Sequence, residues 1–183
     1  MKKIAVHLAE GFEEIEAVSI IDVLRRADFE VVVVSVSGEN RVTGSHQIQL
    51  VADVLFEEVE YGSVDMIVLP GGMPGAGNLK KHEGLRKQIL DFNENGKPLG
   101  AICAAPIVLG DLGILQNKKV TCYPGFENEL KGAKVTSGSV EQDGNIITGK
   151  GAGVAIQFAL KLVEQLKSPK EAEALAQKMV VNG

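Results

Sequence analysis

Apolar runs of strand length alternate with helical patterns along this chain, and this alternation limits the fold more than any other feature. Glu30–Ser37 is a continuous valine-rich run, as expected of a strand that is buried on both faces of a parallel sheet. Further buried runs follow, with helical spacing of apolar residues between them. The repeated order of strand and helix predicts an α/β sandwich with a mostly parallel central sheet.

The pattern also predicts where the elements lie. Gly38–Leu50 carries turn residues and then alternation, which indicates a small hairpin or edge excursion. No repeat or linker interrupts the chain, so residues 1–183 are predicted to form a single domain. The predicted strands are Lys3–Leu8, Glu30–Ser37, Val64–Leu69, Leu99–Ile102, Lys119–Cys122 and Asn145–Thr148. The predicted helices are Glu13–Ala27, Gly84–Asn95, Ala104–Leu112, Gly153–Leu166 and Lys170–Met179, the last introduced by Pro169.

Composition and charge argue against several classes of protein. The net charge is −5 and no basic cluster occurs, which disfavours binding to nucleic acid. No apolar run approaches the length of a membrane span, and acidic residues follow the short N-terminal apolar stretch at once, unlike a signal peptide. Cys103 and Cys122 do not form a disulfide framework, so we expect a reducing cytoplasm.

One of these two cysteines, Cys103, stands where a buried strand meets a helical pattern. A tight strand-to-helix turn would project its sulfur out of the fold, as in a nucleophile elbow with sulfur in place of a serine hydroxyl. Backbone N–H groups at the start of the helix would favour a thiolate. The alternative is a small buried apolar side chain, which describes most free cysteines. This segment alone leaves both open.

Two other segments follow predicted strands and are further candidates for the site, because sites in parallel sheets form at the carboxyl ends of strands. The first leads to Glu16, near the buried stripe of the first helix, where partial burial would raise its pKa and let it donate a hydrogen bond to a Cys103 thiolate. The alternative is an acid that only stabilises the helix N-terminus. The second is Pro70–Gly72, whose backbone N–H would form a two-donor oxyanion hole with that of Ala104. A plain strand-end turn is the alternative.

Histidine is the residue that this set lacks. A cysteine nucleophile usually has an imidazole as its base, and the chain contains only His7, His46 and His82. None of them stands at a strand end that faces Cys103. The scattered cysteines and histidines also form no metal-binding pattern, and Met73–Gly77 follows no nucleotide-binding motif, so we expect neither a metal nor a nucleotide.

Four segments together resemble the ThiJ/PfpI family, the DJ-one superfamily, and within it the branch of the parkinsonism-associated protein deglycase. They occur in family order and spacing, and the similarity extends from Lys3 to about Val180. The segments are Glu13–Glu16, Val68–Gly72, Ala101–Pro106 and Thr148–Gly153. The resemblance implies a flavodoxin-like three-layer sandwich, usually a homodimer, with the segment Gly11–Ile20 near the dimer contact.

The resemblance also implies roles for individual residues. Cys103 corresponds to a reactive, oxidation-prone cysteine, and Glu16 to the carboxyl that hydrogen-bonds it. Gly72 and Ala104 correspond to the backbone donors, with Gly71 at the periphery. No cofactor is implied.

The chain departs from the family pattern at the periphery of the site. Tyr123 stands where some members have a histidine. A phenol has a reference pKa of about 10, against about 6.5 for imidazole, and is therefore a poor base at neutral pH. His46 and Lys150 stand where this branch often carries arginines, and such a basic pair would hold a small anion less well than a bidentate arginine.

Three functions follow from the resemblance. The first is a cysteine-dependent enzyme for small reactive aldehydes or ketoaldehydes, which turns methylglyoxal into lactate or repairs glycated protein. The second is an oxidative-stress sensor or chaperone-like protein whose Cys103 is oxidised to a sulfinate. The third is a cysteine peptidase or an amidotransferase-like hydrolase, which the missing histidine disfavours.

Overall fold

A computed structural model describes residues 1–181 and contains one large sheet. Its seven strands have the order β10-β11-β7-β6-β1-β2-β5, and every neighbouring pair is parallel except β10 and β11. An antiparallel pair β3–β4 and a parallel pair β8–β9 lie outside it. The strands are β1 Lys3–Leu8, β2 Glu30–Ser35, β3 Arg41–Thr43, β4 Gln49–Val51, β5 Val54–Leu55, β6 Met66–Leu69, β7 Leu99–Ile102, β8 Lys119–Val120, β9 Lys134–Val135, β10 Val140–Asp143 and β11 Ile146–Gly149.

Six α-helices among the described residues flank this sheet in two groups. One group contains α1, α5 and α6, and the other contains α2, α3 and α4. The helices are α1 Glu14–Arg26, α2 Gly75–Lys81, α3 Glu83–Glu94, α4 Pro106–Asp111, α5 Ala155–Leu166 and α6 Pro169–Lys178. The predicted α/β sandwich with a mostly parallel sheet is confirmed, and the arrangement is flavodoxin-like. No helix within residues 1–181 has the length and apolar character that a membrane crossing requires.

The central strands are buried because helices cover both of their faces. All four residues of β6 and of β7 are buried, as is β1 after its first residue. Helix α1 turns Ala17, Ile20 and Leu24 toward the core. The same helix leaves Ile15 and Val18 largely exposed, so it carries apolar side chains on two faces.

Several elements differ from their predicted form. The hairpin predicted over Gly38–Leu50 is confirmed as β3 and β4, but the strand predicted at Lys119–Cys122 is a two-residue strand outside the large sheet. The strand β10 was not predicted because its sequence Val-Glu-Gln-Asp is polar and only half-buried. The helix α2 was also missed, since two glycines within its first three residues hide its helical pattern.

The strand order decides where a site forms. From β1 the chain passes through α1 to β2 on one side, whereas β6 and β7 lie on the other side of β1. The carboxyl ends of β1, β6 and β7 therefore lie side by side at a topological switch point, where open α/β sheets form binding crevices. The three segments that compete for the site in the sequence all reach this edge.

Candidate active site

Cys103 occupies a sharp turn directly after β7. Its φ is +64°, a left-handed conformation that is uncommon for a residue with a Cβ and is often associated with functional sites. Two backbone hydrogen bonds hold the turn, from Cys103 N to the Gly149 carbonyl (2.9 Å) and from Tyr123 N to the Cys103 carbonyl (2.8 Å). The side chain is 9% exposed. The geometry is that of the predicted elbow, although the helix begins only at Pro106 and not at Ala104.

Glu16 reaches this turn from the first turn of α1. It is fully buried, and its Oε2 accepts a hydrogen bond from Gly71 N at 2.8 Å. Its other oxygen, Oε1, is buried and has no N–H or O–H donor, so the Cys103 thiol is the neighbouring group that can give Glu16 a proton. A Cβ on Gly71 would lie 2.6 Å from Cys103 Cβ and 2.8 Å from Glu16 Oε2. The two side chains therefore meet across a glycine that has no room for a larger residue.

Gly72 and Ala104 complete the surroundings of the sulfur. Their backbone N–H groups interact with Cys103 and lower its pKa. Gly72 has a φ of +90°, and a Cβ there would lie 2.5 Å from Glu13 N. Only glycine fits this close approach of the loop to the start of α1. The N–H groups of Gly72 and Ala104 thus both face Cys103, and their role as oxyanion donors stays a prediction.

The electrostatics of the pair are set mainly by burial. Burial raises the pKa of the Glu16 carboxyl to about 7, against the lowering effects of the Gly71 N–H and the Cys103 thiol. Burial, followed by the charge and hydrogen bond of Glu16, raises the pKa of the Cys103 thiol to about 12. The expectation of a thiol with a lowered pKa is thus wrong for the pair with Glu16 ionised. Transfer of one proton from Cys103 to Glu16 would remove the part of this increase that the Glu16 charge causes.

All three histidines of the chain lie within the described residues, and each has another partner. His7 is buried, its Nε2 lies 2.6 Å from the Tyr61 hydroxyl, and burial lowers its pKa to about 3. The half-buried His82 accepts a hydrogen bond from Leu85 N at 3.0 Å and caps α3. Within residues 1–181, none of the three imidazoles forms a hydrogen bond with Cys103.

The third histidine, His46, is paired with Glu14. Its Nδ1 lies 2.9 Å from Glu14 Oε2, and its backbone N–H donates to Glu14 Oε1 at 2.6 Å. The hydrogen bond and charge of Glu14 raise the pKa of His46. Lys150 Nζ instead donates to the Ser137 carbonyl at 3.2 Å. The two basic residues that the sequence suggested as an anion-binding pair therefore have separate partners. His46 is paired with the buried Glu14, and Lys150 is bound to a backbone carbonyl.

One group of potential metal ligands was missed in the sequence, because the hairpin brings His46 to the start of α1. The ligand atoms of Glu13, Glu14 and His46 lie within 4.8 Å of one another. Glu14 already accepts hydrogen bonds from His46, and Glu13 accepts one from Glu16 N at 2.7 Å. These contacts satisfy the group without an ion.

Tyr123 lies beside the site. Its backbone N–H binds the Cys103 carbonyl, while its side chain is 51% exposed. Its neighbour Cys122 is buried, which raises the pKa of that thiol to about 11. The two thiols thus differ in surroundings, since only Cys103 stands on the elbow with a carboxyl beside it.

A flavodoxin-like sheet with an elbow cysteine and a buried carboxyl at its switch point defines a class of cysteine-containing α/β proteins. The sequence matches the DJ-1/PfpI family over residues 2–165, and the chain belongs to this family. It is 43% identical over 164 residues to protein DJ-1 homolog B of Arabidopsis thaliana, covering 89% of this chain and 37% of that protein. The chain spans less than half the length of the two Arabidopsis relatives, 37% and 45%.

Other similar proteins match this chain over most of their own length. The glutathione-independent glyoxalase DJR-1.2 of Caenorhabditis elegans is 34% identical over 168 residues, which cover 91% of this chain and 89% of that protein. The solved structure of oxidized Toxoplasma gondii DJ-1 has a TM-score of 0.94 and 40% sequence identity, and the match covers 98% of both chains.

Proposed function

We propose that this protein is a cofactor-independent enzyme that converts methylglyoxal into lactate without glutathione. The observation that carries the proposal is the meeting of Cys103 and the fully buried Glu16 across Gly71. The name of the C. elegans relative, a glutathione-independent glyoxalase, supports the same reaction. Because the reaction needs a reduced thiol, it suits a reducing cytoplasm.

The first step is the addition of sulfur to the aldehyde. The Cys103 thiol transfers its proton to Glu16 Oε1, and the sulfur forms a bond to the aldehyde carbon. The carbonyl electron pair moves to oxygen, where the N–H groups of Gly72 and Ala104 stabilise the negative charge. Protonation of this oxygen by Glu16 gives a hemithioacetal and returns Glu16 to its ionised form.

The second step moves a proton between the two carbons. Glu16 removes the proton from the former aldehyde carbon to give an enediolate, and it then delivers this proton to the former ketone carbon. The hydroxyl proton of the hemithioacetal moves to the former ketone oxygen, which leaves a thioester carbonyl at the former aldehyde carbon. The aldehyde carbon is thereby oxidised and the ketone carbon reduced, so no external oxidant is needed. Water then cleaves the resulting thioester, which releases lactate and restores the thiol.

Glu16 supplies the proton transfer that an imidazole would otherwise perform. A base works best when its pKa is close to the working pH, and burial raises the pKa of Glu16 to about 7. The substitution of Tyr123 for a histidine is therefore compatible with turnover. The peptidase or amidotransferase alternative has no such support, because protonation of an amine leaving group normally uses a histidine.

The test is a lactate assay on reduced protein without glutathione, with Cys103→Ala as the comparison and Cys122→Ala as the matched control. We expect lactate from the wild type and from Cys122→Ala, and none from Cys103→Ala. Full activity in Cys103→Ala would overturn the mechanism. Glycated peptides as substrates would show whether the same thiol also acts as a deglycase.

A second candidate function is redox sensing, which the solved oxidized form of Toxoplasma DJ-1 favours. A protonated Glu16 and the N–H groups of Gly72 and Ala104 would bind the oxygens of a Cys103 sulfinate. Mass spectrometry after mild peroxide treatment is then expected to find two added oxygens on Cys103 and none on Cys122. Equal modification of both cysteines would contradict this function.

We also propose that the protein forms a homodimer through the exposed apolar face of α1 and the neighbouring hairpin. Ile15 and Val18 of α1 are 60% and 47% exposed, and Ile48 and Val51 of the hairpin are 57% and 66% exposed. Val18 and Val51 line one shared cavity, and exposed apolar side chains on one face are typical of an interface. A second copy would present the same face, as a two-fold contact requires.

A further inference from the structure

A groove of about 330 Å³ lies next to the catalytic turn. Residues 123–124 line one part of it and residues 150–154 line the other. Both segments are joined to Cys103 through its backbone. Tyr123 N binds the Cys103 carbonyl, and Cys103 N binds the carbonyl of Gly149, the residue before Lys150. The groove is therefore held in a constant position relative to the cysteine.

The ring of Tyr123 forms an aromatic wall of this groove. A Cβ on Gly151 would lie 3.3 Å from Tyr123 Cδ2, so the glycine lets the ring approach the backbone closely. Ala152 and Val154 add small apolar surface. The half-exposed phenol ring leaves one side available for stacking against a planar group.

Lys150 is the charged residue among those that line the groove. Among residues 1–181, Lys150 forms no salt bridge, and its Nζ donates a hydrogen bond to the neutral Ser137 carbonyl at 3.2 Å. His46 differs in this respect, because Glu14 neutralises it. Lys150 can therefore bind a substrate anion without first breaking an ion pair.

We propose that this groove binds the substituent of the α-oxoaldehyde, and that it favours an aromatic substituent that carries a carboxylate. The aromatic ring would stack on Tyr123, and the carboxylate would accept a charge-assisted hydrogen bond from Lys150. The inference rests on the proposed function, since the aldehyde carbon must reach Cys103. It adds a substrate class that methylglyoxal, with its uncharged methyl group, does not represent.

The test compares two aromatic substrates, phenylglyoxal and 4-carboxyphenylglyoxal. The measured quantity is the ratio of their kcat/KM values, because any general effect of a substitution on the chemistry cancels in it. We expect the wild type to prefer the carboxylated compound. Lys150→Met is expected to lower the ratio about fivefold or more. Lys87→Met, which removes the same charge from the exposed surface of α3, should leave the ratio at its wild-type value.

An unchanged ratio in Lys150→Met would overturn the inference, as would a wild type without preference for the carboxylated compound. A wild type that turns over neither aromatic substrate nor methylglyoxal contradicts the proposed function instead. In that case the groove is tested by binding alone. We then expect 4-acetylbenzoate to shift the amide NMR signals of Gly151 and Val154 in the wild type, and to do so less in Lys150→Met. Equal shifts in both proteins would overturn the inference.

Discussion

At the scale of single residues, the proposed activity depends on a carboxyl that burial makes a weaker acid. Glu16 has one oxygen bound to Gly71 N and one oxygen without a partner beside the Cys103 turn. In water the same carboxyl would be ionised at neutral pH and too weak a base for a thiol. Its burial brings its pKa to about 7, so it can both accept and return a proton.

The first residue-scale prediction concerns Glu16→Gln. The amide keeps the shape of the side chain but cannot accept the thiol proton, so we expect kcat/KM for methylglyoxal to fall about 100-fold or more. The wild-type kcat/KM should rise with pH through about 7, as Glu16 loses its proton and becomes a base. Steady-state kinetics across this range test the prediction, and a pH profile unchanged in Glu16→Gln would assign the ionisation to another group.

The raised pKa of Glu16 also makes the stability of the wild type depend on pH, and Glu16→Gln should remove this dependence. The pKa of Glu16 rises from 4.5 in the unfolded chain to about 7 in the fold, so between these values the folded state binds more protons. The free energy of unfolding of the wild type therefore falls as the pH rises, by no more than about 3 kcal/mol. Glu16→Gln has no carboxyl to lose this proton, so its stability relative to the wild type should increase as the pH rises. Urea denaturation at both ends of the range measures it, and a constant difference would contradict the raised pKa.

At the scale of elements, the loop between β6 and α2 determines the site. Gly71 and Gly72 pass close to the start of α1, and Glu13 N donates to the Gly71 carbonyl at 2.9 Å. The loop thereby ties α1 to the end of β6 and places Glu16 against the turn after β7. The hairpin adds a second tie through His46 and Glu14.

We predict that Gly71→Ala disrupts this arrangement. The added Cβ would lie 2.6 Å from Cys103 Cβ and 2.8 Å from Glu16 Oε2, so one of the two side chains must move. Overpacking of this kind costs about 1–3 kcal/mol, and turnover should fall with it. Gly62→Ala is the control, because no atom lies within 4 Å of its added Cβ. Denaturation and the lactate assay measure both effects. If Gly71→Ala had the same stability and turnover as Gly62→Ala, the loop would be able to shift and accept the added Cβ.

At the scale of the whole molecule, the candidate active site and the proposed dimer face share α1. Its first turn carries Glu16, and the same helix exposes Ile15 and Val18. An association through this face would therefore lie close to the site. The groove next to Tyr123 is formed by the turn after β8 and by the segment after β11, and neither of these belongs to α1.

The dimer is tested with Val18→Asp combined with Val51→Asp. A carboxylate in an apolar contact is costly to desolvate, so we expect the variant to sediment as a monomer and the wild type as a dimer. Leu90→Asp, on α3 and 36% exposed, is the control and should remain dimeric. A monomeric wild type in analytical ultracentrifugation would rule out the proposed association.

The sequence by itself determined the class of fold and the residues at the strand ends. Continuous apolar runs such as Glu30–Ser37 indicate buried parallel strands, and the segments that follow β1, β6 and β7 contain Glu16, Gly72 and Cys103. Only the tertiary structure decided the pKa of the thiol and the pairing of His46 with Glu14. Both depend on burial and on neighbours far along the chain, such as Glu16 for Cys103. Local sequence patterns cannot predict such contacts, because they arise from the strand order of the sheet, which brings distant segments together.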